Sequence, residues 1–322
     1  MEDEIKRKEE YDAYAKLEIV RNPDGSLTRP ETHPLSPPNP SPSSPGSVLS
    51  KDVILNPAHK TWIRIYRPPN PNPTRTLPVI INFRGGGFIL LSAATELIHK
   101  GCEDLALQIP AFVVSVDYRL APEHRLPAAY DDAIDAIRWV RDESDNDPWF
   151  GSADLSRCFL MGNSSGGNIV YHAALRAVDL QAPPRFKIDG LILNEPGFGG
   201  VERTGSELRL AEDRVLPLPV LDLLWQLALP EGSDRDHEFS NPMVGGSVGD
   251  RVGQLPRCLV TGHGQDPLID RQREFVRMLE GRGVHVVCRF DEDGCHCIEF
   301  FDQEKGQELL MYVKDFISAS PE

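Results

Sequence analysis

Short, almost wholly apolar runs recur along the chain, each stopping at glycine, proline or polar residues. They are Leu77–Phe83 (LPVIINF), Ala111–Val116, Cys158–Met161, Ile188–Asn194, Arg257–Thr261 and Val284–Phe290. Runs of this length without strict alternation predict strands buried on both faces. Segments of helical spacing fall between or after them: Ser92 to about Gln108, Pro127–Glu143 with Ala133, Ile134, Ile137 and Val140 on one stripe, Gly166–Val178, Ile269–Gly281 and Gln303–Ile317. Upstream, Lys51–Leu55 and Thr61–Tyr66 place apolar residues among polar ones and predict an antiparallel start to a sheet. Strand and helix alternate through most of the chain, so the expected class is α/β, a mostly parallel central sheet flanked by helices.

Two stretches break the alternation. Residues 1–28 read as a short charged amphipathic helix followed by a turn at Asn22-Pro23-Asp24-Gly25, and Pro30 to Gly46 is dense in proline and serine, hence extended or mobile. From Gly199 to about Asn241 the chain carries Arg203, Thr204 and Glu207, then Val215-Leu216-Pro217-Leu218-Pro219, then a helix-like Leu221–Leu229. Leu221, Leu224 and Trp225 stand at i, i+3 and i+4 and form one apolar stripe, which suits either a lid over a site or packing onto the core. The organisation expected is an N-terminal segment and linker over 1–50, then one α/β domain over 51–322 with an insertion at about 200–240.

Composition narrows the function. A chain of 322 residues can bury a large core. Its formal net charge of −15 argues against nucleic acid, which needs a basic face to displace counterions. No stretch approaches the roughly 20 apolar residues of a membrane span, and the opening MEDEIKRKEE has no apolar core of a secretory signal. A cytoplasmic protein is expected, with the nucleus open as well. The six cysteines are scattered without the spacing of a disulfide scaffold, so reduced thiols are expected. Cys295-His296-Cys297 lacks a second ligand pair to complete a tetrahedral set, so no metal is expected.

The chemistry concentrates in Gly162-Asn163-Ser164-Ser165-Gly166, which follows an apolar run and opens a helical segment. A G-x-S-x-G elbow holds its serine in a strained turn, with glycines leaving room around it. Serine is a weak nucleophile at neutral pH and needs an imidazole base, which in turn needs a carboxylate. Asp266 after the run Arg257–Thr261 and His296 after the last strand fall in the order serine, acid, histidine. Asp270 is the alternative acid and His263 the competing base; capping of the following helix is a further role open to Asp266. Gly85, Gly86 and Gly87, with Ser165 next to the serine, can offer backbone N–H groups to an oxyanion. Phe88 and Ile89 after the glycines, with Leu216, Leu221 and Trp225 from the insertion, suggest an apolar pocket for a small molecule.

With the glycine loop, Tyr118-Arg119-Leu120-Ala121-Pro122-Glu123-His124, Gly162-Asn163-Ser164-Ser165-Gly166-Gly167-Asn168 and Asp266-Pro267-Leu268 in view, the chain resembles the plant carboxylesterases of the hormone-sensitive-lipase group from about Lys51 to its end. The resemblance implies an α/β-hydrolase fold, a cap built from the N-terminal segment and the insertion, a Ser164, Asp266, His296 triad, small carboxylic esters as substrates and no cofactor. A monomer is expected.

One position departs from the group. Its glycine loop normally begins with histidine, which supports the oxyanion loop; here Arg84 stands there. Arginine can hold the same loop carbonyls through its fork, or its longer charged side chain shifts the loop or enters the pocket. The second case would suit other chemistry. Legume 2-hydroxyisoflavanone dehydratases and cyclases of alkaloid biosynthesis resemble this group and carry out elimination or ring closure. The gibberellin receptor also resembles it and binds a hormone without the triad histidine, which this chain retains.

Overall fold

The computed structural model describes residues 12–29, 33–41, 44, 46–69, 76–180, 183–244 and 249–319. The first elements among the described residues are a one-turn helix α1 (Ala13–Lys16), capped by Asp12, and a hairpin of β1 (Val20–Arg21) and β2 (Leu27–Thr28). The expected turn at Asn22–Gly25 closes that hairpin, with the Asn22 N–H donating to the Ser26 carbonyl. Residues 1–11, where most of the amphipathic helix was expected, lie outside the described residues. The described part of the proline-rich segment is extended, and Leu35 bridges to Thr95.

Strands β3 (Leu49–Asn56) and β4 (Thr61–Arg67) form the expected antiparallel pair. Then come β5 (Leu77–Phe83), α2 (Glu96–Gln108), β6 (Phe112–Asp117), α3 (Ala128–Glu143), β7 (Ala153–Asn163), α4 (Ser165–Ala177) and β8 (Ile188–Asn194). The insertion carries α5 (Gly205–Arg209) and α6 (Leu218–Ala228), and a short α7 (Gly249–Val252) leads to β9 (Cys258–His263), α8 (Ile269–Glu280), β10 (Val286–Asp291) and α9 (Gln303–Ser318). The eight long strands form one sheet in the order β10-β9-β8-β7-β5-β6-β4-β3, parallel from β10 to β6 and antiparallel at β4 and β3.

Alternation along the strands explains why their sequences show no polar face. Val79, Ile81 and Phe83 of β5 enter a cluster with Ile137 of α3, Val170 of α4 and Trp225 of α6. Ile80 enters another with Ile98 and Leu105 of α2 and Phe316 of α9. Both faces are covered, so both sets of side chains must be apolar. Helix α2 starts four residues later than the sequence suggests. Ser92 Oγ and the Ala93 N–H both donate to the Asp117 carboxylate, which holds Ser92–Thr95 in a turn before the helix. Among the described residues no helix is long and apolar enough to cross a membrane.

Parallel strands bring their carboxyl ends to one edge, where the loops after β5, β7, β8, β9 and β10 meet. The crossing of β5 and α4 there is tight. A Cβ at Gly166 would stand 1.9 Å from the Phe83 carbonyl oxygen, a backbone atom held in the sheet. Gly166→Ala is therefore expected to destabilise the protein by about 3 kcal/mol, read as a fall in the midpoint of urea unfolding with an unchanged slope.

Candidate active site

Ser164 links β7 to α4 with φ 53° and ψ −119°, a left-handed conformation unusual for a residue with a side chain. Gly162 and Gly166 make the turn possible, since a Cβ at Gly162 would come within 2.3 Å of the Gly166 backbone. The Ser164 N–H donates to the Asn194 carbonyl at 2.9 Å, tying the elbow to the end of β8. The serine side chain is part-exposed and stands at the start of α4, where the first N–H groups lack helical partners.

The structure brings Ser164, His296 and Asp266 together. His296 Nε2 is 2.8 Å from Ser164 Oγ, and His296 Nδ1 is 2.9 Å from Asp266 Oδ2. Asp266 is fully buried. Its Oδ2 also accepts from Gln272 Nε2 at 2.8 Å and its Oδ1 from the Leu268 N–H at 2.8 Å, so it shapes the turn into α8 as well as facing the imidazole. A carboxylate accepts only, which fixes the proton of neutral His296 on Nδ1 and leaves Nε2 to accept from the serine. Burial alone would lower the His296 pKa, but the Asp266 carboxylate overcomes that and holds it well above the ordinary imidazole value. The competing candidates go elsewhere: Asp270 accepts from the Ser206 N–H of α5, and His263 pairs with Asp291.

The glycine run leaves β5 as a tight turn, with Gly86 at φ 108° and Gly87 at φ 62°. Among the described residues the N–H groups of Gly86 and Gly87 donate to no protein acceptor, and the Gly86 carbonyl accepts from Ile89 and Leu90. Gly85 is pressed against the Asn163 side chain, where a Cβ would meet Oδ1 at 2.3 Å, so the loop and the elbow form one packed unit. Helix α6 lies on this loop: a Cβ at Gly87 would be 2.6 Å from Leu224, and the Phe88 and Trp225 ring centres are 5.7 Å apart. Phe88, Ile89, Leu216, Leu221 and Trp225 are all buried in one apolar cluster. Arg29 straps the N-terminal segment to the same region, donating to the carbonyls of Ile89 at 2.6 Å and Ala121 at 2.7 Å while paired with Glu123.

Arg84 is buried, and its fork is directed at carbonyls. Nη1 donates to Val116 O at 3.0 Å and Nη2 to Tyr118 O at 3.3 Å, with Asp117 Oδ1 3.5 Å from Nη1. Its guanidinium stacks on the Tyr118 ring at 4.0 Å, and the Tyr118 hydroxyl returns a bond to the Arg84 carbonyl at 2.9 Å. The arginine thereby fastens the start of the glycine loop to the end of β6.

Several polar residues of the site have roles that the sequence did not assign. Asn168, one turn into α4, donates to the Gly197 and Phe239 carbonyls and accepts from the Tyr130 hydroxyl. Glu299 Oε1 accepts from Asn163 Nδ2 at 3.0 Å and Asn194 Nδ2 at 2.6 Å, tying the histidine loop to the elbow. Glu195 is fully buried behind the histidine, its Oε2 accepting from the Cys297 N–H and lying 3.6 Å from His296 Nδ1. Burial, then the nearby Glu299 carboxyl, hold Glu195 well above the usual carboxyl range. Glu195, His296 and Cys297 place three donor atoms within 4.8 Å of one another, but the imidazole and carboxyl are already engaged in hydrogen bonds that suit proton chemistry.

A family model described as the alpha/beta hydrolase fold matches residues 80–300. The chain belongs to the α/β-hydrolase family. A probable carboxylesterase of Arabidopsis thaliana is 48% identical over 96% of this chain and 94% of its own. A 3-O-acetylpapaveroxine carboxylesterase of Papaver somniferum is 46% identical over 95% and 97%. A gibberellin receptor of Arabidopsis thaliana is 36% identical over 83% and 80%. Among solved structures, the esterase of Pyrobaculum calidifontis superposes with a TM-score of 0.71 at 28% identity, covering 84% of each chain.

In this family member the glycine loop hangs on Arg84. Arg84→Gln removes the fork while keeping a polar side chain, and ester turnover is expected to fall about 100-fold with little change in KM, measured by steady-state kinetics on a short-chain aryl ester.

Proposed function

We propose that the chain is a serine carboxylesterase that hydrolyses small carboxylic esters through an acyl-enzyme at Ser164. The observation that carries this reading is the continuous line of hydrogen bonds from Ser164 Oγ through His296 to Asp266. The carboxylesterase relatives, similar over nearly the whole chain, support the same reaction class.

In the proposed cycle His296 Nε2 takes the serine proton as Oγ bonds to the ester carbonyl carbon. The carbonyl oxygen gains negative charge and is met by the N–H groups of Ser165, Gly86 and Gly87. Collapse of the tetrahedral adduct breaks the bond to the alkoxy oxygen, which receives the proton from His296. Water then repeats the sequence: it gives a proton to His296, its oxygen attacks the acyl carbon, and Ser164 leaves with that proton. Phe88, Ile89, Leu216, Leu221 and Trp225 would frame the acyl or ring part of the substrate beneath α6, which serves as a cap together with the N-terminal segment. Every group in the scheme comes from one chain, so a monomer suffices, and a cytoplasmic setting suits its reduced thiols.

Arg84 is the residue that opens elimination or ring closure as an alternative. Its fork is held by carbonyls of β6 and the residues just beyond, which favours hydrolysis.

A fluorophosphonate probe is expected to add its mass at Ser164. Short-chain aryl esters should be hydrolysed by the native enzyme and not by Ser164→Ala; a folded protein with neither labelling nor turnover would sink the proposal. The base must be neutral to act. Because the His296 pKa is raised, activity should fall with decreasing pH from a point above the ordinary imidazole value of about 6.5, measured as the acid limb of kcat/KM.

A further inference from the structure

Behind the proposed triad stands a second imidazole with its own carboxylates. His263, at the end of β9, places Nδ1 2.8 Å from Asp291 Oδ1, and Lys305 Nζ lies 2.6 Å from Asp291 Oδ2. Lys305 and Asp291 form an ion pair, and Nδ1 of His263 donates to that carboxylate, which leaves Nε2 as an acceptor. That Nε2 faces Glu195 Oε1 at 3.3 Å, and this buried oxygen has no other hydrogen-bond partner. The other oxygen of Glu195 lies 3.6 Å from His296 Nδ1. One buried carboxyl therefore sits between the two imidazoles. The loop carrying His296 can pass over the His263 ring only through a glycine, since a Cβ at Gly294, where φ is 95°, would stand 2.9 Å from His263 Nδ1.

The surroundings set where protons rest. Glu195 is faced by His296 and Cys297 from the loop after β10, by Asp266 and His263 from β9 and its loop, and by Glu299 from the turn before α9. Burial, which raises the neighbouring Glu299 carboxyl as well, and the nearby Asp266 make a further negative charge on Glu195 unfavourable while His296 is neutral. It becomes favourable once His296 is an imidazolium. His263 is the less buried partner and borders a small cavity of about 70 Å³ whose charged lining is Asp291, Glu299 and Glu308 against Arg289 and Lys305, so a positive charge there has carboxyl groups and room for water.

We infer that Glu195 and His263 share one proton, which rests on Glu195 in the free enzyme and moves to His263 when His296 takes the proton of Ser164, so that the imidazolium faces two carboxylates instead of one. The step is balanced: the Glu195 O–H bond breaks as the His263 Nε2–H bond forms, and the proton returns when His296 delivers its own to the leaving group. Glu195 touches no reacting atom and acts through His296 as a positioning residue. The inference rests on the triad reading given above.

Glu195→Gln keeps the acceptor for the Cys297 N–H and the shape of the side chain, but the amide cannot release a proton. An imidazolium that loses its second counter-charge is both harder to form during attack and harder to form by acid. The plateau of kcat/KM on a short-chain aryl ester should therefore fall about tenfold, KM should stay near its native value, and the acid limb should move to lower pH by about one unit. A merely structural defect lowers the plateau without moving the limb in that direction. His263→Gln removes the base that takes up the proton and is expected to reproduce both changes, and the double variant should be no worse than either single one. A limb that stays in place in both single variants, or additive losses in the double variant, overturns the inference. If Glu195→Gln does not fold, the limb of His263→Gln decides alone. Fluorophosphonate labelling of the native enzyme separates the two levels: labelled Ser164 with an unmoved limb defeats this inference only, whereas an unlabelled, inactive native enzyme defeats the triad reading too.

Discussion

The closure of the elbow on the end of β5 is the constraint from which the site's geometry follows. Ser164 can hold φ 53° only if the chain before and after it packs without side chains. That packing forces α4 against the Phe83 carbonyl, and the Phe83 strand runs directly into the glycine loop. The nucleophile candidate and the glycine loop are thus set by one contact between two parallel strands and one helix. Asn163 and Gly85 interlock just beside it, and Glu299 draws the histidine loop onto the same asparagine. Local strain of this kind persists only where the surrounding structure over-determines it.

The sheet was legible because burial on both faces writes continuous apolar runs into the strands. Serine, acid and histidine were legible because the loops at one end of a parallel sheet converge in a fixed chain order. What escaped was set by partners distant in sequence. The late start of α2 depends on Asp117, more than twenty residues onward. The β1–β2 pairing joins runs too short for any periodicity to show. Glu195 belongs to no motif in the sequence, and only the pairing of β9 with β8 and of β10 with β9 shows that it is enclosed between two histidines. The direction of Arg84 was equally undetermined: the sequence leaves open whether it enters a pocket or turns to the sheet, and the carbonyls of Val116 and Tyr118 decide.

The segments that interrupt the α/β alternation converge on the glycine loop. Helix α6 presses Leu224 and Trp225 onto Gly87 and Phe88, while Arg29 reaches from the N-terminal hairpin to the carbonyl of Ile89. Apolar packing and charge-assisted hydrogen bonding thus hold the loop from different directions. The stripe of Leu221, Leu224 and Trp225 packs against the core and the glycine loop.

The arginine at the head of the glycine loop has a consequence for acid conditions. A guanidinium keeps its charge and all its donors across the whole range in which proteins work, whereas a histidine in that place would change charge near neutrality. The anchor of the loop is thereby independent of acidity, while the imidazole facing the serine is not. Acid therefore reaches this site through the imidazole, while the grip of the arginine on the carbonyls of Val116 and Tyr118 stays as it is.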